Sequence, residues 1–345
     1  MAVIQTNNLS KIFRVHKKSA GFRGSLKALV RREWIDKPAL QNISIQVSAG
    51  EILGLVGANG AGKTTLVKIL AGIVCPTSGE VSVLKHNPWH RSNELRRQVA
   101  LIMGQKAQLW WDLPAEDCFL LLREIYQIPL AQYRQNLEYL VESLGVRDQL
   151  NIQVRRLSLG ERMKMELIAA LLHTPKVVYF DEPTIGLDLT AQRAIRKFIL
   201  EYRKIHKPAM ILTSHYMEDI EQLCERIAII KEGRIVYDGE LSRVVNTYAK
   251  HKILTLKWED PGGEGGVKFS SLVHELKAEV VREEQNLAQL KVDRADVKDV
   301  ASYLLQKIAI KDLSIEEEDI GNIIEKLIRR DGPNAAVKGG ARPAR

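Results

Sequence analysis

The sequence predicts an α/β domain built on a largely parallel sheet, followed by a small α+β domain. Three observations lead there. Up to about Val245, short β-like runs alternate with helical ones. One of those runs feeds a glycine-rich loop that opens into a helix. From about Lys252 the texture changes to strand-like runs with two helical stretches, and 345 residues are enough for both domains.

The β-like runs of the first domain are "EILGLVG", "QVALIMG", "KVVYFDE", "AMILTSH" and "RIAIIKEGRIVYDG". The last contains Glu232–Gly233 and reads as a terminal hairpin. Residues 113–156 read as purely helical, a subdomain taken as about 106–156. In the second domain "KILTLKW", "LAQLKV" and "AIKDLSIEE" read as strands, with helical runs near 297–306 and 319–328. The expected limits are 1–248 for the first domain and 249–330 for the second. Residues 331–345, rich in Gly, Ala and Pro and basic, read as a disordered tail.

Bulk properties exclude some classes. Hydrophobic residues make up 45% and charged residues 27%, values ordinary for a globular chain. No apolar run approaches the roughly 18–20 residues that cross a bilayer, and "MAVIQTNNLS" does not read as a signal peptide. Cys75, Cys118 and Cys224 are far apart and lack metal-site spacing, which reads as reduced thiols in the cytoplasm. The net charge of +9 fits nucleic acid or an anionic membrane as partner. Much of it is concentrated in residues 14–37 and after Arg329, so the surface is not uniformly basic.

"GANGAGKTT" places Gly57, Gly62, Lys63 and Thr64 in the G-x-x-x-x-G-K-T spacing of a phosphate loop. Glycines let successive backbone N–H groups turn toward phosphate oxygens, Lys63 adds a point charge, and the Thr64 hydroxyl suits Mg²⁺. The following helix adds its positive N-terminal dipole. "VVYFDEP" is a buried-strand run that ends in two carboxylates. Beside a phosphate loop, Asp181 would hold Mg²⁺ and Glu182 would act as general base on water. The plainer alternatives are a glycine turn with an incidental lysine, and an Asp181 that merely caps a turn. Together these motifs point to ATP or GTP.

"LSLGERMKMEL" opens at Ser158. With Glu161 three residues on, it forms an S-x-x-E capping box, sufficient to explain a helix start. The same letters also look like a worn nucleotide-binding signature.

The motifs in their order identify the chain as similar to the ATP-binding cassette (ABC) family, the nucleotide-binding subunits of ABC transporters. The resemblance covers about residues 3–245. After the phosphate loop come Gln105 in "LIMGQKAQ", the "LSLGE" stretch immediately before "VVYFDEP", "GLD" ending at Asp188, and His215 after "AMILTS". "LSKIF" offers Phe13 as the adenine-stacking aromatic. The resemblance implies an ABC-type P-loop NTPase cassette, with a mixed sheet core, an antiparallel β edge and a helical subdomain. It implies ATP and Mg²⁺ as cofactors. Gly57, Asn59, Gly60, Ala61, Gly62, Lys63, Thr64, Thr65, Asp188 and Phe13 would serve nucleotide, and Thr64, Gln105 and Asp181 the metal. Glu182, His215 and Gln105 would serve hydrolysis. Ser158, Gly160 and Glu161 would cover ATP bound to a second cassette, a homodimer being preferred to a heterodimer. The family pattern L-S-G-G-Q is altered here at Leu159 and Glu161, while Gly160 is kept.

A transporter role then needs separate integral membrane permease subunits, with the cassette on the cytoplasmic face of the cell membrane. The stretch from Gln105 through "LWWDLPAEDCF" to Tyr126 is the expected docking groove, unless Trp110 and Trp111 pack inside the helical subdomain. An insert at about 16–37 reads as a basic amphipathic helix. Phe22, Leu26, Leu29, Val30 and Trp34 share a face, suited to anionic inner-leaflet lipids, a permease, or the edge of the cassette's own sheet. The second domain's placement resembles the accessory domain of ABC-2-type exporters, the drug- and antibiotic-resistance group. Against these readings stand a soluble ABC ATPase acting on ribosome or nucleic acid, and a cassette that binds ATP only as a switch. A single compact cassette without coiled-coil insertion favours the transporter motor, with no nucleic acid expected.

Overall fold

The computed structural model describes residues 2–16, 34–248, 251–258, 278–284 and 286–318, with Ile320, Gly321, Ile323 and Ile324 beyond them. The chain divides into two compact units, the first ending at Gly239 and the second beginning at Glu240. That division lies ahead of the limit at residue 248 expected from sequence, because the helix Leu241–Tyr248 clusters with the second unit.

The first unit contains two sheets. In the antiparallel one, the long strand β1 (Ala2–His16) pairs with β2 (Trp34–Ile43), β3 (Gln46–Ser48) and β5 (Ser78–Val83). The other has six strands, taken along the chain as β4 (Ile52–Val56), β6 (Val99–Met103), β7 (Val177–Asp181), β8 (Ala209–Thr213), β9 (Arg226–Lys231) and β10 (Arg234–Glu240). Their spatial order is β10-β9-β4-β8-β7-β6, and the pairs β4–β8, β4–β9, β6–β7 and β7–β8 are parallel. Strands buried on both faces carry continuous apolar runs, which is why "ILGLV" and "AMILT" are buried at every position. The two-residue turn at Glu232 and Gly233, with φ of 49° and 75°, closes β9 and β10 into the expected hairpin.

Helix α1 (Lys63–Leu70) follows β4 and buries Leu66, Val67, Ile69 and Leu70 against the core. Between β6 and β7 the chain is helical, with α2 (Ala115–Tyr126), α3 (Leu130–Leu144) and α4 (Leu159–Leu171). Gly145 at φ 62° ends α3 in the left-handed cap that glycine provides without strain. Helix α5 (Leu189–His206) links β7 to β8 and packs on α6 (Met217–Leu223). Residues 17–33, most of the insert expected at about 16–37, lie outside the described residues. Trp34, assigned to that helix face from sequence, instead begins β2 and pairs with His16.

The second unit holds the helix α7 (Leu241–Tyr248), the strands β11 (His251–Trp258), β12 (Ala278–Glu284), β13 (Leu287–Asp293) and β14 (Ile310–Glu317), and the helix α8 (Val297–Lys307). The all-antiparallel order β12-β13-β11-β14 is that of a split βαβ sheet, with α8 crossing from β13 to β14. Alternate residues Leu254, Leu256, Leu290 and Val292 meet Val300 and Leu304 of α8 in its core. Strand β12, "AEVVREE", is absent from the sequence reading because it lies at the sheet edge and is mostly charged. The basic tail after residue 330 is outside the described residues.

One helical feature has a pH signature. His173, just past α4, stacks on Tyr126 with ring centroids 3.9 Å apart, and both ring nitrogens are shielded from solvent. Burial pushes its pKa down from 6.5 to about 4. The unfolded chain therefore binds the extra proton first, so stability falls as pH drops from 6.5 toward 4, by about 3 kcal/mol at full extent. Urea unfolding at pH 7 and pH 4.5 is expected to show this slope, and His173→Phe, which keeps the stacking, is expected to flatten it.

Candidate active site

The parallel register aligns four strand ends. Leu55 pairs with Thr213, Thr213 with Asp181, and Asp181 with Met103. The residues that follow therefore leave the sheet side by side: Gly57 onward, Ser214–His215, Glu182, and Gly104–Gln105. Ligand sites in open α/β sheets form at this carboxyl edge.

Backbone sterics shape the loop that opens α1. A Cβ placed on Gly57 would lie 2.2 Å from the carbonyl oxygen of Ile230, and one on Gly62, at φ 116°, 2.6 Å from that of Ala39. Gly233 N–H donates to the Ala61 carbonyl at 2.9 Å, so the β9–β10 turn braces the loop. Ala58, Asn59 and Gly60 are exposed, while Ala61, Gly62 and Lys63 are buried, and Thr64 and Thr65 lie in the first turn of α1. Lys63 is 6% exposed, and its Nζ donates to the carbonyls of Gly57 at 2.7 Å and Ala58 at 3.2 Å. Burial pulls the Lys63 ammonium below its ordinary pKa against the opposing pull of Glu182 and Asp181. A buried cation curled inside a loop of backbone N–H groups is a receptor for a polyanion.

Asp181 Oδ1 accepts hydrogen bonds from Thr64 Oγ1 at 3.2 Å and Thr213 Oγ1 at 2.7 Å. The carboxylate of Glu182 lies between two partners, His215 Nε2 at 2.7 Å and Gln105 Nε2 at 3.3 Å. Glu182 sits at φ 60°, a left-handed conformation costly for a side chain of its kind. Its N–H bonds to the Thr213 carbonyl at 3.0 Å and hold the kink in place. Thr64, Lys68, Met103, Gln105, Lys106, Asp181 and Glu182 line a cleft of about 160 Å³ at this edge. The oxygen donors Thr64, Asp181 and Gln105 form a hard, all-oxygen set of the kind Mg²⁺ takes together with phosphate.

The structure thus gathers Lys63, Thr64, Gln105, Asp181, Glu182 and His215. Ser158, Gly160, Glu161, Asp188 and Phe13, also singled out from sequence, do not line this cleft. Ser158 N-caps α4: its Oγ accepts from Glu161 N–H at 3.3 Å, and Glu161 Oε2 accepts from Ser158 N–H at 2.9 Å and Oγ at 2.7 Å. These bonds hold the Glu161 carboxyl below its usual pKa range. Neither residue lines the cleft. Asp188 N-caps α5 through the Ala191 N–H at 2.8 Å, and Gly160 approaches Ala191 closely enough that a Cβ would lie 3.2 Å from that residue's own. Phe13 is on β1, 37% exposed, with Lys11 Nζ 5.0 Å above its ring. Trp110 and Trp111 are 44% and 51% exposed, not packed inside the helical subdomain.

Sequence reasoning missed Thr213, which reads as an ordinary strand-end threonine, and Lys68 and Lys106, which read as surface charge. It also missed Glu166 on α4. That residue is 4% exposed and accepts the N–H groups of Gln108 at 2.9 Å and Leu109 at 3.3 Å, and burial raises its pKa. A lone glutamate in a helix ordinarily reads as solvated, and no spacing rule marks it.

A phosphate loop beside a strand-end carboxylate pair, with Glu182 held between His215 and Gln105, is the arrangement of a nucleoside triphosphatase. Comparison with known proteins refines the class. The model of the ABC transporter family matches residues 40–185. The ABC transporter ATP-binding protein NatA of Bacillus subtilis is 30% identical over 203 residues, covering 59% of this chain and 82% of that protein. A match 28% identical over 339 residues, to ATP-binding cassette sub-family A member 6 of Homo sapiens, covers 91% of this chain but 20% of that longer protein. In fold, a dimeric ATP-binding cassette in a post-hydrolysis state bound to ADP and Pi aligns with TM-score 0.57 and 20% identity, over 69% of this chain and 98% of that one. The chain belongs to the ABC transporter ATP-binding proteins. It is an ATP hydrolase, the nucleotide-binding subunit type of ABC transporters.

Lys63→Ala is expected to weaken ATP binding about 30-fold or more, from the loss of about 2 kcal/mol of charged hydrogen bonding. Titration with a fluorescent ATP analogue measures this. Gly57→Ala is expected to lower the unfolding temperature as well, since its Cβ has no room.

Proposed function

We propose that this chain is the motor of an exporter. On the cytoplasmic face of the cell membrane it would drive separate ABC-2-type permease subunits by ATP-dependent closure of a cassette homodimer. The observation that carries the reading is the division of the chemistry. The phosphate loop, Asp181, Glu182, Gln105 and His215 form one half-site, while the Ser158–Glu161 helix start takes no part in lining it. In a head-to-tail dimer, Ser158 and the Gly160 N–H of one cassette meet the terminal phosphate on the other, as helix N-termini meet anions.

Within the half-site, Lys63 and the loop N–H groups of 57–65 hold the β- and γ-phosphates. Phe13 stacks on adenine, and Asp188 lies at the closing interface. Thr64, Asp181 and Gln105 would hold Mg²⁺, which would supply positive charge against the phosphates. Glu182 accepts the proton of the attacking water, and His215 and Gln105 fix the direction of its carboxylate. Glu161 is bound into its own helix cap, which turns its carboxylate back onto Ser158 and away from the phosphate it would otherwise repel.

Several features support a membrane partner and export. No helix among the described residues is long and apolar enough to cross a membrane. Trp110, Trp111, Leu120, Leu121 and Ile125 are exposed just beyond Gln105, an aromatic-rich surface suited to anchoring a partner helix. The export assignment rests on the small second unit and on the sub-family A match that runs through it. Anionic lipids remain the expected contact of the basic insert, and nucleic acid is not expected.

Glu182→Gln is expected to bind ATP, to lose about 10²-fold or more of its turnover, and to accumulate as a dimer with ATP and Mg²⁺. Size-exclusion chromatography with light scattering, alone and with the co-purified membrane subunits, reads the mass. A monomer in both settings at micromolar protein would sink the dimer reading. Recovery of ribosomes instead of polytopic membrane proteins would sink the transporter reading.

A further inference from the structure

A second buried cluster lies behind the catalytic edge. Arg196 of α5 and Asp219 of α6 are 1% and 0% exposed, with Arg196 Nε 3.1 Å from Asp219 Oδ1. A fully buried pair of this kind is costly to desolvate and weak evidence for stability alone. Its geometry shows what else it does.

Asp219 Oδ2 accepts two hydroxyl hydrogen bonds, from Thr184 and from Ser214, the latter at 2.5 Å. Thr184 is two residues past Glu182 and completely buried, and Ser214 immediately precedes His215. Ser214 Oγ also accepts the Tyr216 N–H at 3.0 Å, so the hydroxyl closes a small turn whose apex is His215. On its other side, Arg196 Nη2 donates to Gln192 Oε1 at 3.2 Å, and Gln192 Nε2 donates to the Leu187 carbonyl at 3.1 Å, one residue before Asp188. Arg196 Nη1 also lies 2.6 Å from Glu218 Oε1.

We propose that Asp219, with Arg196 as its counter-charge, is a positioning residue for ATP hydrolysis. By gathering the Thr184 and Ser214 hydroxyls it locks the Glu182 and His215 loops into one rigid unit, and through Gln192 it ties that unit to the loop before Asp188. The inference rests on the roles given above to Glu182 and His215. The 2.7 Å contact between their side chains needs both loops at fixed separation, and no bond between their own backbones supplies it beyond the shared anchor at Thr213. A displacement of the order of 1 Å at such a contact can cost about 10²-fold in rate.

Two double variants separate position from charge. Both remove the buried ions together, so neither leaves an unpaired charge. Arg196→Gln with Asp219→Asn keeps an amide oxygen to accept the two hydroxyls. Arg196→Met with Asp219→Leu keeps none. The expected result is an acceptor-dependent kcat: the Gln/Asn protein within about threefold of wild type, the Met/Leu protein down about tenfold or more, with KM for ATP and ATP affinity unchanged in both. Ser214→Ala and Thr184→Val, which create no buried charge, are expected to lower kcat in the same direction and serve if a double variant does not fold. Wild-type kcat in the Met/Leu protein, or in both single variants if it does not fold, overturns the proposal. So does an equal loss in both folded double variants. Glu182→Gln is assayed alongside: if it hydrolyses ATP normally, the assignment of the base has failed, not the tether.

Discussion

The register of four parallel strands is the constraint on which the rest of this molecule depends. Pairing Leu55, Thr213, Asp181 and Met103 in one row makes the phosphate loop, the His215 turn, Glu182 and the Gln105 loop depart from a common line. A one-residue slip would turn each strand's side chains to the opposite face and scatter the loops. The row is secured by its own chemistry. Thr213 donates its hydroxyl to Asp181 and lends its carbonyl to the Glu182 N–H, so a strand-end threonine orients both acids. Continuous apolar strands keep that edge rigid, and the kinked Glu182 is carried on it.

The proposed other half of the site is the start of α4. There, capping and the proposed anion binding would use the same groups, since an exposed helix N-terminus offers N–H donors whether or not phosphate is present. Leu159, one of the two departures from the family pattern, is 38% exposed and reaches toward Gly186: a Cβ on that glycine would lie 3.2 Å from Leu159 Cδ2. Further along the same helix, Glu166 holds the N–H groups of Gln108 and Leu109, and the Arg162 guanidinium lies 5.4 Å above the Trp111 ring. One helix therefore joins the signature, the segment after Gln105 and the exposed tryptophans.

Much of this was legible in sequence, for identifiable reasons. The phosphate loop requires glycine where Ile230 and Ala39 crowd the backbone, so its letters are constrained and visible. The strand runs of the six-stranded sheet are unbroken and apolar, and the capping box is a fixed spacing. What was not legible depends on contacts between distant segments. Glu166, Arg196 and Asp219 are polar residues in helices whose pattern gives no sign of burial, Thr213 ends a buried strand whose pattern does not reveal its partners, and only the tertiary fold brings Asp219 to both Thr184 and Ser214. Strand β12 escaped because an edge strand faces solvent and need not alternate cleanly. Trp34 was misplaced on a helix because apolar spacing alone cannot separate a helix face from a strand start in a short insert.

In the proposed dimer each ATP is hydrolysed between the phosphate loop of one chain and the signature of another. The most direct measurement is complementation by mixing two inactive proteins, Lys63→Ala and Gly160→Asp, and assaying phosphate release. A mixed dimer pairs the intact phosphate loop of one with the intact signature of the other, so hydrolysis is expected to return on mixing and to be absent from either protein alone. Full hydrolysis by Gly160→Asp alone, or no recovery in mixtures shown to form mixed dimers, would contradict the account.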